Sequence, residues 1–179
     1  RYLRQQLAGV GTVLSSEEAE EIFRYSFLNS TDIFYFISHD LKILAVSPSI
    51  EKVLGYTPDE LCGRRVPMER LLTPAQKKEA LANFWRALRG RRIKVLNLRL
   101  SHKNGQERIL EIKTAGRLKI GGHWALAGVA RDITDWRRAV DEIEQREAFY
   151  RTLVETTKTG YIVLDERGRV MDANQEYLR

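Results

Sequence analysis

The sequence predicts an α+β fold: a five-stranded antiparallel sheet with flanking short helices and a long, coiled-coil-like helix leaving its last strand. Three observations carry this. Two short apolar runs, 33–37 and 43–46, stand either side of a polar turn. Three longer runs, 92–101, 107–117 and 124–133, are joined by Lys103-Asn104-Gly105 and Gly121-Gly122, and Asn-Gly between alternating runs is the strongest short hairpin signal. Between the two groups, and again after residue 133, the hydrophobic period turns helical.

The elements follow in order. Leu3, Leu7, Val10 and Leu14 make a helical stripe weakened by Gly9 and Gly11, so residues 1–15 are expected to be a helical linker. Ser15-Ser16-Glu17-Glu18 reads as a capping box, in which Ser15 accepts an orphan amide and Glu18 reaches back. The helix it opens should carry Ala19, Ile22, Phe23, Ser26 and Phe27 on one face and end near Asn29. After the strand pair, Pro48 opens a short helix closed by Gly55, and Thr57-Pro58 begins another. Gly63 and Pro67 mark a loop. Pro74 starts a longer helix with Leu81, Phe84, Trp85 and Leu88 on one face, ending at Gly90.

From residue 134 the spacing of Ile133, Trp136, Val140, Ile143, Glu147, Tyr150 and Val154 alternates between three and four. That is nearly three heptads with one polar position, so a coiled-coil seam and a homodimer are expected. Sliding the chain by 127 residues then lays Phe34 to Ile37 over Tyr161 to Leu164, Ile43-Leu44 over Val170-Met171, and Ser47 over Asn174. A repeated helix, strand, turn and strand implies a second domain that begins here. The expected organisation is a linker over 1–15, a domain over 16–134, a signalling helix over 135–157, and the start of a second domain over 158–179.

Composition limits the function classes. The chain has 179 residues, of which 43% are hydrophobic and 30% charged, a globular balance. No run approaches the ~18 apolar residues of a membrane span. Arg1 stands where a Met would begin a complete chain, which reads as an internal piece of a longer protein. Cys62 is the single cysteine, so no internal disulfide forms and a reducing, cytoplasmic setting is expected. Residues 64–119 hold sixteen Lys/Arg against four Glu, read chiefly as a solvated face rather than an anion site. Its densest part, Arg86, Arg89, Arg91, Arg92 and Lys94, has no interleaved aromatic, and nucleic acid is not an expected partner.

Three motifs then carry a resemblance. Gly55-Tyr56-Thr57-Pro58-Asp59-Glu60-Leu61-Cys62-Gly63 fits G-Y-x-x-x-E-L-x-G, Asp132-Ile133-Thr134 fits D-I-T, and Asp165 to Val170 with Asn174 fits D-x-x-G-x-I/V…N. With the order helix, two strands, three short helices, longer helix, three strands and exit helix, the chain resembles the PAS domain family over 16–134, and in part over 147–179. The resemblance implies a sensory or dimerisation module of a signalling protein such as a sensor histidine kinase or diguanylate cyclase, beside further PAS and output domains. It implies a small-molecule cavity whose ligand is unknown, with Phe84, Trp85, Leu88 and Trp124 as candidate lining. A flavin adduct is not expected, because Cys62 lacks the N-C-R-F-L context of light-sensing relatives. Haem is not expected, because the 75–89 helix has no His. His39, His102 and His123 lack metal-ligand spacing and read as turn histidines.

Asp132, Ile133 and Thr134 are the expected signal-coupling joint, with Thr134 as N-cap of the exit helix. Trp136, Val140, Ile143, Tyr150 and Val154 are the expected dimer seam. No Ser-His-Asp set, P-loop or paired-carboxylate signature stands out, so no enzyme is expected in this segment. The competing readings are a PAS scaffold that senses nothing and, behind it, a basic nucleic-acid-binding module.

Overall fold

The computed structural model describes residues 14–156, except 92 and 94, and residues 160–177, except 175. The stripe of Leu3, Leu7 and Val10 lies outside the described residues. The chain divides into two units, 1–134 and 135–179.

In the first unit the opening helix α1 spans Ser16–Asn29. Its capping box forms: the Ser15 hydroxyl accepts the Glu18 amide at 3.2 Å, and the Glu18 carboxylate accepts the Ser15 amide at 2.7 Å. Strands β1 (Ile33–Ser38) and β2 (Ile43–Val46) follow, then α2 (Ser49–Leu54), α3 (Pro58–Leu61), α4 (Met68–Leu71) and α5 (Pro74–Leu88). The third short helix, α4, sits in the segment that Gly63 and Pro67 mark as loop. Strands β3 (Leu96–Ser101), β4 (Glu107–Ile120) and β5 (His123–Asp132) complete an antiparallel sheet of order β2-β1-β5-β4-β3.

Two strand limits differ from expectation by three residues or more. β3 begins at Leu96 rather than residue 92. β4 runs to Ile120, because Gly121 and Gly122 both take positive φ (57° and 84°) and turn the chain in two residues, the geometry a tight hairpin needs. The exposed side of β2 does not stay open. Ile43 donates to the Arg64 carbonyl at 2.9 Å, Gly63 to Ile43 at 2.8 Å and Val66 to Leu41 at 2.9 Å, which covers a sheet edge that would otherwise invite pairing.

The core lies between the sheet and the short helices, on Ile33, Ile43, Ile50, Leu54, Leu98 and Leu110. The opposite face is partly covered by α1, whose Phe27 ring meets Phe34 and Phe36 at centroid distances of 6.3 and 6.5 Å. Ala19, Ile22, Phe23, Ser26 and Phe27 share one face of α1, as expected; Ala19 is buried, while Ile22 and Phe23 stay 52% and 45% exposed. One helix over two aromatic rows leaves its flanks uncovered.

The G-Y-x-x-x-E-L-x-G segment turns out to be architecture. Gly55 closes α2 with φ +77, and a Cβ there would meet the His102 ring at 2.7 Å. Thr57 and Glu60 form the capping box of α3, Glu60 reaches Lys103 at 2.5 Å, and Leu61 is buried.

Helix α6 spans Thr134–Thr156, opening on the last residue of the first unit, and in the second unit β6 (Ile162–Leu164) pairs antiparallel with β7 (Val170–Ala173). The 127-residue offset holds at the level of hydrogen bonds. Ser47 Oγ accepts the Phe34 amide at 2.9 Å, and Asn174 Oδ1 accepts the Tyr161 amide at 2.9 Å. Ser38 Oγ accepts the Lys42 amide at 3.1 Å, and Asp165 Oδ1 accepts that of Arg169 at 2.9 Å. Leu41 takes a left-handed φ of 65°, and Gly168 takes 78° at the matching place.

Candidate functional site

The inner face of the sheet and the short helices enclose a cavity of about 190 Å³. Tyr35, Leu110 and Thr114 line it from the strands, Ile50 and Leu71 from α2 and α4, and Phe84 from α5. None of the described lining residues is charged; Tyr35, Tyr56, Asn83 and Thr114 supply its polar side chains. Such a lining, apolar with a few polar groups, is what small-molecule sites usually present.

Tyr35 is placed by its neighbours. It pairs with Gly128 of β5, which pairs in turn with Thr114 of β4. A Cβ on Gly128 would lie 2.2 Å from the Tyr35 hydroxyl oxygen, so only glycine lets the ring cross β5. The ring is thereby directed across β5 toward Thr114, which also lines the cavity. Burial pushes the Tyr35 phenol up from 10.0 to about 12, with the Thr114 contact acting weakly the other way. At neutral pH this group is a protonated donor.

The junction between sheet and exit helix is built on β4. The last β4–β5 pair is Leu110 with Asp132, so Ile109 lies one step past the ladder. Its carbonyl accepts the Ile133 amide at 2.9 Å, and its amide donates to Thr134 Oγ1 at 2.9 Å. The Thr134 amide donates to Asp132 Oδ1 at 2.9 Å, and the Thr134 hydroxyl donates to the same oxygen. Arg108 stands 3.6 Å from the other Asp132 oxygen. The expectation that Thr134 caps α6 is therefore corrected. Thr134 is only 2% exposed; its hydroxyl satisfies the strand amide of Ile109, and Asp132 accepts the first helical amide instead.

The other predicted residues scatter. Phe84 lines the cavity and Ala87 is buried beside it on α5. Leu88 packs on that cluster but stays outside the lining. Trp85 points away, 43% exposed, because one residue along a helix turns by about 100°. Trp124 lies at the hairpin end of β5 with the Arg117 guanidinium 4.4 Å from its ring centre. On α6, Trp136, Ile143 and Tyr150 are exposed and Val140 and Val154 half-buried. The Arg146–Glu142 pair, at 2.7 Å, dresses another side, while Arg151 reaches the one polar position of the stripe, Glu147, at 3.5 Å. Cys62 packs on the main core outside the cavity lining. His39 and His123 stack with ring centres 5.4 Å apart, and His102 Nδ1 accepts a turn amide from Asn104 at 3.0 Å. Arg86, Arg89 and Arg91 are exposed; Arg92 and Lys94 fall outside the described residues. Tyr35, Thr114, Gly128 and Ile109 were not among the sequence candidates. A glycine inside an alternating strand was the one available signal of close approach.

No helix among the described residues is long and apolar enough to cross a membrane, and no group of three metal-ligating side chains gathers among them.

A family model described as "PAS fold" matches residues 43–130, and one described as "PAS domain" matches residues 148–179. A search of curated proteins finds no match. Among solved structures, the chain is similar to a PAS domain from Colwellia psychrerythraea, with TM-score 0.56 and 18% identity over 65% of this chain and 98% of that one. It is similar to a domain of a sensory box sensor histidine kinase/response regulator from Geobacter sulfurreducens, with TM-score 0.55 and 21% identity over 68% and 100%. A sensory box histidine kinase/response regulator from Burkholderia thailandensis gives TM-score 0.55 and 20% identity over 72% and 98%. At these identities the likeness is one of fold.

Proposed function

We propose that this chain, which belongs to the PAS family, is a sensory and dimerisation module of a signal-transduction protein of the histidine kinase or diguanylate cyclase type. A small molecule in the cavity would shift β4 and β5, and Asp132, Ile133 and Thr134 would pass that shift to α6. A second copy would pair along Trp136, Val140, Ile143, Tyr150 and Val154. The chain itself is regulatory, and any catalysis would belong to its partners.

One observation supports the coupling above all. Leu110 lines the cavity, and its neighbour Ile109 makes two hydrogen bonds to the first residues of the exit segment. Alternate strand residues face opposite ways, so one stretch of β4 touches ligand space and holds the helix joint. Two backbone-linked contacts fix that joint more stiffly than one side chain would. Two of the structural neighbours come from sensory box histidine kinase/response regulators, which supports this context.

Trp136 reports on the first turn of α6. In a chain with Trp85→Phe and Trp124→Phe, it is the remaining tryptophan. Titrating toluene into that chain should change Trp136 emission with the same midpoint as calorimetric binding. Binding with unchanged emission and unchanged Trp136 quenching would contradict the coupling. A scaffold that senses nothing predicts no binding at all.

A further inference from the structure

The cavity has two properties that the sensory reading does not use: its described wall is uncharged, and two of its polar side chains, Tyr35 and Thr114, stand in register on either side of Gly128. An apolar cavity of roughly 150 Å³ is large enough to hold benzene and stays dry when empty, and this one measures about 190 Å³. With no charged residue in the described lining, an ionised ligand would lose its hydration and gain no counter-charge. The wall thus selects against anions and cations alike. The basic residues of the 64–119 segment do not reverse this, since no described one of them lines the space.

Within the apolar wall, one polar pair is held in place. Tyr35 crosses Gly128 toward Thr114, and its path exists only because position 128 lacks a Cβ. A phenol fixed this way keeps its proton at neutral pH and can present it to a guest in the cavity. Thr114 sits beside a β4 irregularity between Thr114 and Gly116, where a bulge re-aims side chains.

We propose that the cavity takes an uncharged, mostly apolar small molecule with one hydrogen-bonding group, and that this group is met by the Tyr35 hydroxyl beside Thr114. This rests on the reading of the cavity as a ligand site.

Three probes of similar ring size separate the possibilities: toluene, phenol and benzoate, each titrated calorimetrically at pH 7 into the 179-residue chain and into its Tyr35→Phe variant. The expected result is binding of toluene and phenol, with benzoate at least a hundredfold weaker than phenol. Tyr35→Phe should weaken phenol three- to tenfold and leave toluene within twofold, which a general loss of folding would not do. Circular dichroism of the variant checks that it is folded; if it is not, Thr114→Val is the second variant, with the same expected split. Benzoate binding as tightly as phenol would overturn the proposal while leaving the cavity a ligand site, as would equal losses for phenol and toluene. Failure of all three probes to bind would overturn both.

Discussion

Thr134 is the residue on which most of the account turns, and its role was half legible in the sequence. A Thr at the start of a periodic helix reads as an N-cap, whose loss costs ~1 kcal/mol. In the fold its hydroxyl is buried and serves two partners, Ile109 and Asp132. Thr134→Ala leaves the strand amide unpaired, so the expected loss rises to about 1–3 kcal/mol by urea denaturation. Asp132→Ala, half-buried at the same joint, should cost less than Leu98→Ala, which empties a core position 4% exposed and should lose about 2–5 kcal/mol. Tyr35 offers a second check. Its phenol stays neutral in the fold up to about pH 12, whereas an unfolded tyrosine ionises near 10.0. Between those values the unfolded state sheds the proton first, so its contribution to stability is complete below pH 10.0 and is lost as pH rises toward 12. Absorbance titration at 295 nm should show a late tyrosinate that Tyr35→Phe removes, and the variant's stability should fall less steeply over that window. Neither Tyr35 nor Gly128 was legible as a site residue, because their meeting depends on which strands are neighbours.

Helix and strand identities were easier to read than helix faces. The capping box at Ser15, the Gly121-Gly122 turn and the start of α5 at Pro74 are local signals, decided by residues within one turn of each other. Which side of α5 is buried is decided by the sheet beneath it, and there Phe84 and Ala87 face inward while Trp85 does not. The repeat is legible for the opposite reason: it compares the chain with itself. Leu41 and Gly168, unlike in side chain, share one left-handed backbone position. The exit helix α6 is about 34 Å long at 1.5 Å per residue. It displays Trp136, Ile143 and Tyr150 at more than half exposure. Sedimentation at tens of micromolar should give a dimer, and Val140→Asp with Ile143→Asp should shift it to monomer with the first unit's melting unchanged. A monomeric parent chain would contradict the seam.

At the scale of the whole molecule, the fold class and strand count followed from period and turn chemistry, since these are repeated over many residues and errors average out. The cavity did not. It is a property of volume left between layers, set by how completely Leu, Ile and Phe side chains fill the space, and no local pattern encodes a remainder. What joins the scales is β4, where a cavity wall and a helix anchor occupy adjacent residues. Amide hydrogen exchange resolved by residue, with and without saturating toluene, tests that claim most directly. The account predicts that toluene slows exchange at Leu110 and Ile112, at Ile109 and Ile133, and in the first turn of α6, and that in Thr134→Ala the slowing stops at Ile109. Slowing confined to the cavity residues of the unmodified chain, with Ile133 and the helix start unaffected, would contradict it.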